Sequence, residues 1–509
     1  MNPAALVALS ATEILARFEQ RSLTPTEYVS ACLSRISAIN PKINALTAID
    51  AESAISEAAN ATRRWQIGRP KGALDGLPIG VKDLQDTRGL LTTYGSVRAR
   101  GHVPRQDIPM VAKLRTAGAI ILAKTNVPEL GAGGNSRNPV WGATGNPFNP
   151  NLTAGGSSGG SAAALSAELL PLCTGSDTGG SLRTPAALCG IVGYRPSVGV
   201  IAHPTRPLGW SGISVLGPMA RTMDDLCLML GVCQGDDPDD PLSVAGAVPN
   251  PAALPPADLK SLRVGFSEDF GDLPVDPAIR QTFRTRIRLL ENHVGSCHRA
   301  ELDLGELDRT FDILRGESFV AAFADAMEAT PDAFGEHIRE NVELGLSMSL
   351  ADRAWAHGEQ TRILRKFNAL MRDYDVILMP TSPVSPFPWM QSHPAEINGQ
   401  AMDIYYRWLA LSYRSSLIGG PVITIPTGRD PYGMPFGLQM LGPTRGDESL
   451  LSAAKALQAL FASDSETARP VPDVARIAPS TMDLRSIVTH PPILKSSTQA
   501  EPLSMKTAV

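Results

Sequence analysis

The sequence holds no run of about 18 apolar residues, so nothing in it reads as a membrane-spanning helix. Positive charge is not in excess. The 46 Lys and Arg stand against 51 Asp and Glu, and a formal net charge of −5 leaves no basic footprint for nucleic acid. Met1 to Ser10 contains neither Lys nor Arg and only a short apolar patch, so no secretory signal is expected there. The six cysteines, Cys32, Cys173, Cys189, Cys227, Cys233 and Cys297, form no CxxC pair and no zinc-ligand spacing. Most sit in apolar surroundings, so buried reduced thiols and a cytoplasmic compartment are the expectation. Cys297-His298 stands alone and is discounted as a metal site.

What is present is ordinary globular material. With 509 residues, 43 % apolar and 19 % charged, the chain can supply the core of one large domain or of two. Thr24-Pro25-Thr26-Glu27 combines an N-cap, a proline at the first helical position and a glutamate at N3, a capping-box start. Tyr28, Cys32, Ile36 and Ile39 then repeat at helical spacing as far as Asn40-Pro41. Leu77 to Val81 is an apolar run ending in Lys82-Asp83, expected as a buried strand that delivers two charges. Val111 to Ala117 reads as a helix and Ala119 to Ala123 as the strand after it. Further strands are expected at Arg263–Phe266, Val376–Met379, Val422–Ile425 and Phe436–Leu441, with an amphipathic helix over Pro277–His293. This alternation predicts an α/β fold around a mostly parallel or mixed sheet. Gln234 to Pro256 is a candidate boundary, residues 305 to 373 read as helical, and the Pro/Ser/Thr-rich stretch from Ala468 reads as a loosely packed tail.

Between Gly131 and Gly193 the composition changes to glycine, serine, asparagine and proline, interrupted by an Ala-rich helix near Ser161 to Leu170. A flexible linker would lack the apolar segments that flank this tract. Two Gly-Gly-Ser turns stand out, Gly155-Gly156-Ser157-Ser158-Gly159-Gly160-Ser161 and Asp177-Thr178-Gly179-Gly180-Ser181. Glycines at a helix start let several N–H groups converge on a phosphate or a developing oxyanion. A phosphate loop would need Lys after the turn, and neither turn has one. An aspartic protease would need a second Asp-Thr-Gly, and the triplet occurs once. Gly155-x-Ser157-x-Gly159 matches a nucleophile elbow by letters, but Asn146 to Thr153 is a poor strand to precede it. A fourth reading competes with these, a Ser–Ser–Lys hydrolase that uses both turns and the strand-end Lys82.

At these residues the chain resembles the amidase signature family. The family's motif is matched by Gly155 to Ser161, by Gly175 to Arg183 and by Cys189-Gly190, in that order. Gly76 to Asp83 and Lys124-Thr125-Asn126 match upstream; Gly419-Gly420-Pro421 and Gly437-Leu438-Gln439 match downstream. The resemblance covers residues 10 to 460 and is weakest between 300 and 410. It implies the amidase-signature fold, a central mixed β-sheet covered by helices on both faces. Residues 1–467 would form that domain, with a helical insertion near 300–375, and 468–509 would be the tail. It implies Ser181 as nucleophile, Ser157 as a bridging serine after a cis peptide bond, and Lys82 as a base that must be neutral at rest. The N–H groups of Thr178, Gly179, Gly180 and Ser181 would form the oxyanion hole, and the Gly131 carbonyl would face the substrate. No metal or organic cofactor is implied, and a homodimer is an expectation carried by the family alone.

Other residues have plainer readings. Asp177 and Arg183 are expected to hold the second turn, and Ser158 and Ser161 to cap the following helix. None of the eight histidines lies in a matched motif, which argues against a histidine base. Trp389, Tyr405, Tyr406 and Trp408 are candidates for an acyl pocket or for core. The reaction expected is hydrolysis of a small-molecule amide through an acyl-Ser181 intermediate, with esters and carbamates as further candidates. Two alternatives stand beside it. One is the glutamine-hydrolysing subunit of a tRNA-dependent amidotransferase, although that protein carries Arg-Gln-Pro where this chain has Arg183-Thr184-Pro185. The other is a binding protein on the same fold.

Overall fold

The computed structural model describes residues 3–494. An 11-stranded sheet crosses the molecule among them. From edge to edge its strands are Leu46–Thr47, Ile120–Thr125, Pro78–Lys82, Leu172–Asp177, Val215–Ala220, Val192–Arg195, Val422–Arg429, Pro435–Leu441, Val376–Pro380, Arg263–Phe266 and Ser296–Arg299. Pro78–Lys82 lies parallel to both neighbours; the five pairings from Leu172–Asp177 to Val376–Pro380 are antiparallel; the last two are parallel again. The sheet is mixed, as expected, and it takes strands from both sides of the irregular 234–256 stretch.

Strand alternation divides the core between the two faces. On one face Ile79, Ile121 and Leu172 pack with the helices that carry Phe18, Leu226 and Leu450. On the other, Leu122, Cys173 and Met219 pack with Ile36, Ala58 and Ala163. Helices therefore cover both faces. The helix Pro25–Ile43 begins with the expected capping box, Thr24 against the Glu27 amide and Glu27 against the Thr24 amide. It runs through Pro41, which removes only one amide from the last turn, and closes at Asn44 in the left-handed conformation. The 305–373 stretch read as helical holds three helices, Leu307–Ala329, Glu336–Leu346 and Leu350–Leu370. All six cysteines are unpaired and five are buried. No helix among the described residues is long and apolar enough to cross a membrane.

The segment after 467 departs from the loose tail expected of it. Over its described part, 468–494, it has little regular structure, yet it buries Val474, Ile477 and Leu484. Ala143 donates its amide to the Leu484 carbonyl at 2.8 Å, and Lys42 reaches the Ile477 carbonyl. Pro/Ser/Thr-rich composition lowered the apolar count, but three spaced apolar side chains suffice to dock a strap of this length. Residues 495–509 lie outside the described residues.

Candidate active site

Lys82 is the last residue of a strand buried at all five positions, and it is itself fully buried. Its backbone amide donates to Thr174 Oγ1 at 2.9 Å, which ties the strand end to its neighbour. Its Nζ lies 2.7 Å from Ser157 Oγ and 2.9 Å from Ser176 Oγ, and donates to the Ser176 carbonyl at 3.3 Å. Burial pushes the ammonium down to about 7, against the charge of Asp177, which works in the other direction. No cation is needed to lower it. Desolvation alone leaves Lys82 available as a neutral amine near neutral pH.

Ser157 follows a cis peptide bond from Gly156, as expected. The turn it belongs to leads into the helix Gly159–Ser166. Gly160 is pressed against the chain: a Cβ there would lie 2.2 Å from the Asn126 amide nitrogen. The helix start is not capped by Ser158 or Ser161. Ser136, from a separate loop, accepts from the Gly159 amide at 3.0 Å, while Ser161 Oγ donates to the Thr174 carbonyl at 2.8 Å. A cap from a distant loop leaves no spacing signal in the sequence.

The second turn closes on Asp177, the last residue of the strand Leu172–Asp177. Its carboxylate accepts from the amides of Gly180 at 2.9 Å and Leu182 at 3.0 Å. Arg183 meets it with two donors, and Arg195 adds a third at 3.2 Å. Burial would raise the Asp177 carboxyl; the two guanidinium groups outweigh it and hold it well below the usual carboxylate range. This buried trio fixes the turn, the role expected for Asp177 and Arg183; Arg195 was not foreseen. The turn is tied to the first one where Ser158 donates its amide to the Ser181 carbonyl at 3.3 Å.

One expected oxyanion donor does not take that place. The Gly180 amide is turned into the Asp177 carboxylate, and Gly180 does not line the cavity. The amides of Thr178, Gly179 and Ser181 donate to no group among the described residues, and these three residues do line it. The turn has to close on something, and the same aspartate that anchors it takes the middle amide.

Ser157, Ser176, Ser181 and Gly131 line that same cavity, which encloses about 1230 Å³ counted out to its open mouth. Gly131 has φ 77°, with Ser157 Oγ 3.7 Å from where a Cβ would be. Tyr405 and Tyr406 form part of the wall; Trp389 and Trp408 do not. Trp389 instead donates to Ser480 at 3.1 Å, and Trp408 stands edge-on to Phe387. His203 is the one lining histidine among the described residues. Burial and then Arg206 push it down to about 3, and its Nδ1 meets Thr205 rather than any of the serines. No Asp or Glu lines the cavity among the described residues; its cations are Arg206 and Arg315. The sequence reading missed Ser176, although it lies inside the matched motif beside Asp177.

A family model described as Amidase matches residues 27–451. An acylamidase of Rhodococcus erythropolis is 32 % identical over 458 residues, covering 89 % of this chain and 95 % of that protein. One of the subunits of the glutamyl-tRNA(Gln) amidotransferase of Acidothermus cellulolyticus is also 32 % identical, over 486 residues, covering 90 % and 95 %. A crystal structure of a bacterial aryl acylamidase of the amidase signature family superposes with a TM-score of 0.82 at 26 % identity, covering 89 % and 96 %.

Proposed function

This chain belongs to the amidase family, a hydrolase acting on amide bonds, and on that premise we propose that it cleaves a small-molecule amide through an acyl-Ser181 intermediate. The observation that carries the reading is the 2.7 Å contact between a buried, low-pKa Lys82 and Ser157, directly under a cavity where Ser181 stands among unpaired amides. Neutral Lys82 takes the proton of Ser157 Oγ while Ser157 takes that of Ser181 Oγ, whose oxygen then bonds to the carbonyl carbon. The amides of Thr178, Gly179 and Ser181 receive the negative charge that forms on the carbonyl oxygen; losing one such donor typically lowers turnover by about 10²–10³. On collapse of that intermediate the Lys82 ammonium returns its proton through Ser157 to the nitrogen of the departing amine. Water then attacks the acyl carbon, losing its proton along the same relay. The acid leaves and Ser181 regains its hydrogen. Aryl esters and carbamates form the same kind of tetrahedral intermediate and are further candidates.

The similarity to the amidotransferase protein supports a second reading, glutamine hydrolysis within a complex. The cavity lining weighs against it, because free glutamine carries an α-ammonium and no carboxylate stands there to receive it. The test is hydrolysis by the isolated protein of aryl and aliphatic amides, esters, carbamates and glutamine, with Ser181→Ala alongside and intact-mass detection of the acyl-enzyme. Turnover of anilides, an acyl adduct on the wild type, and loss of both by at least about 10³-fold in the variant are expected. Equal turnover in Ser181→Ala would remove the nucleophile assignment. Glutamine as the sole substrate, and only once partner proteins are supplied, would favour the second reading.

A further inference from the structure

The cavity wall opposite the glycine turns is one face of the helix Leu307–Ala329: Phe311, Arg315, Ser318, Phe319 and Ala322 recur at helical spacing and all line it. Phe311 fixes where this face stands relative to the reacting bond. Its ring packs on the second turn, with Cζ 3.0 Å from where a Cβ on Gly179 would sit, and it stacks on Tyr413 at 4.3 Å. Arg315 lies four residues further on, on the same face of the helix and one turn beyond the residue that packs on Gly179.

Arg315 is 7 % exposed, and among the described residues no carboxylate lies within 4 Å of its guanidinium. Arg206, the other cation of the cavity, is paired with Asp240. Arg315 is held by neutral groups instead. Nε donates to Asn341 Oδ1 at 2.8 Å and Nη2 to the Tyr405 hydroxyl at 2.5 Å, while Nη1 donates to no group among the described residues. The faces of Phe319 and Tyr406 lie 4.6 and 4.9 Å from its central carbon. These contacts orient the guanidinium and partly screen it, but they leave a buried positive charge without a counter-ion, and such a group is costly unless something completes it. A carboxylate does so with charge-assisted hydrogen bonds.

We propose that Arg315 anchors a carboxylate of the substrate, so that this enzyme hydrolyses amides that carry an acid group across an apolar spacer from the scissile bond. The proposal rests on the amidase reading above and adds the substrate class to it. Phe311 and the tyrosines supply the apolar walls for the spacer, Arg315 the far end.

Binding is measured by calorimetry on Ser181→Ala, so that recognition is read without turnover. One ligand series is 4-acetamidobenzoate, the matching carboxamide and acetanilide, which places the acid on the amine side. The other is the mono-anilide of adipic acid, its terminal carboxamide and hexanoic anilide, which places it on the acyl side. In one of the two series the carboxylate is expected to bind about 10–100-fold tighter than the carboxamide. That ratio should fall to within about twofold when Arg315→Met is added, and lie between in Arg315→Lys, which keeps the charge but not the planar fork. Equal binding of carboxylate and carboxamide in both series overturns the proposal, as does a preference that survives Arg315→Met. Should Arg315→Met fail to melt cooperatively, the ligand ratio in Ser181→Ala and its drop in Arg315→Lys decide the matter. Wild-type turnover of the neutral anilides separates the two readings. Turnover with no acid preference sinks the anchor and leaves the amidase, whereas acid-selective binding without any turnover does the reverse.

Discussion

Replacing Lys82 by methionine should abolish activity and, at neutral pH, make the protein more stable. The ammonium is pushed from its ordinary value of 10.5 to about 7 by burial, so between those values the folded protein holds the lysine neutral while the unfolded chain holds it charged. Folding between those values releases a proton, about half of one at pH 7, and the gap of about three and a half pKa units leaves a penalty of roughly 4 kcal/mol at pH 7. The sign follows from the direction of the shift. The penalty is absent above the unfolded value, grows as pH falls through that interval, and is complete below about 7. Methionine fills a similar volume without a charge. It also removes the partner of the Ser157 and Ser176 hydroxyls and of the Ser176 carbonyl, losses that together cost about 1–3 kcal/mol. A net gain of about 2 kcal/mol remains at pH 7, and for a chain of this size that is about 2 °C in melting temperature. Near pH 10 the proton penalty has fallen to about 1 kcal/mol, less than the roughly 2 kcal/mol of lost hydrogen bonds, so the variant should melt below the wild type. Scanning calorimetry of both proteins at pH 7 and pH 10 checks the change of sign. A destabilisation of equal size at both pH values would refute the claim that burial holds Lys82 neutral.

The same shift sets the pH profile: kcat/KM for a neutral amide should rise about tenfold per unit below pH 7 and level off above it, because only the neutral amine can accept the Ser157 proton. A flat profile between pH 5.5 and 7 would contradict this. Asp177→Asn should destabilise the protein by about 3–5 kcal/mol, leaving Arg183 and Arg195 buried without their counter-charge; chemical denaturation measures it. Since the Asp177 carboxyl is held low, its stabilising contribution should be intact at neutral pH and be lost only as pH falls below about 4. Gly180→Ala should be far more damaging than Gly179→Ala in both melting and turnover. At 180 the new Cβ meets Ser412 Cβ at 2.5 Å on a backbone with φ 119°, while at 179 its nearest neighbour is a ring edge at 3.0 Å. Ser136→Ala removes the oxygen that accepts from the Gly159 amide and caps the helix Gly159–Ser166, and should cost about 1 kcal/mol of stability.

Much of the fold was legible because its strands are short apolar runs bounded by turn residues, and Lys82 stood out because such a run ended in a charge within the stretch that resembles the amidase signature family. Where the reading failed, the deciding contact came from elsewhere in the chain. Ser158 and Ser161 had the right chemistry to cap their own helix, but Ser136 reaches it first and Ser161 bonds across to the neighbouring strand. Gly180 belonged to the run of amides expected to face the substrate, yet the aspartate three residues before it claims that amide. The segment after Ala468 read as loose because its apolar residues are few; their docking depends on grooves that the rest of the fold creates.

This difference between local and assembled features also explains why the amidase family could be read and the substrate could not. Lys82, Ser157 and Ser181 each stand in a contiguous stretch whose glycines and strand ends announce an unusual backbone. The cavity walls come from 203–216, 307–329 and 405–413, and in sequence the central one shows only the periodicity of a helix. Arg315 in that helix is indistinguishable from a solvated arginine until Tyr405 and Asn341, far along the chain, are seen to hold it in the interior. A change of substrate in this fold therefore belongs to the wall helix rather than to the turns. Variants of the two kinds should part kinetically: turn variants lower kcat for every amide alike, whereas wall variants reorder kcat/KM among amides that share the same scissile bond.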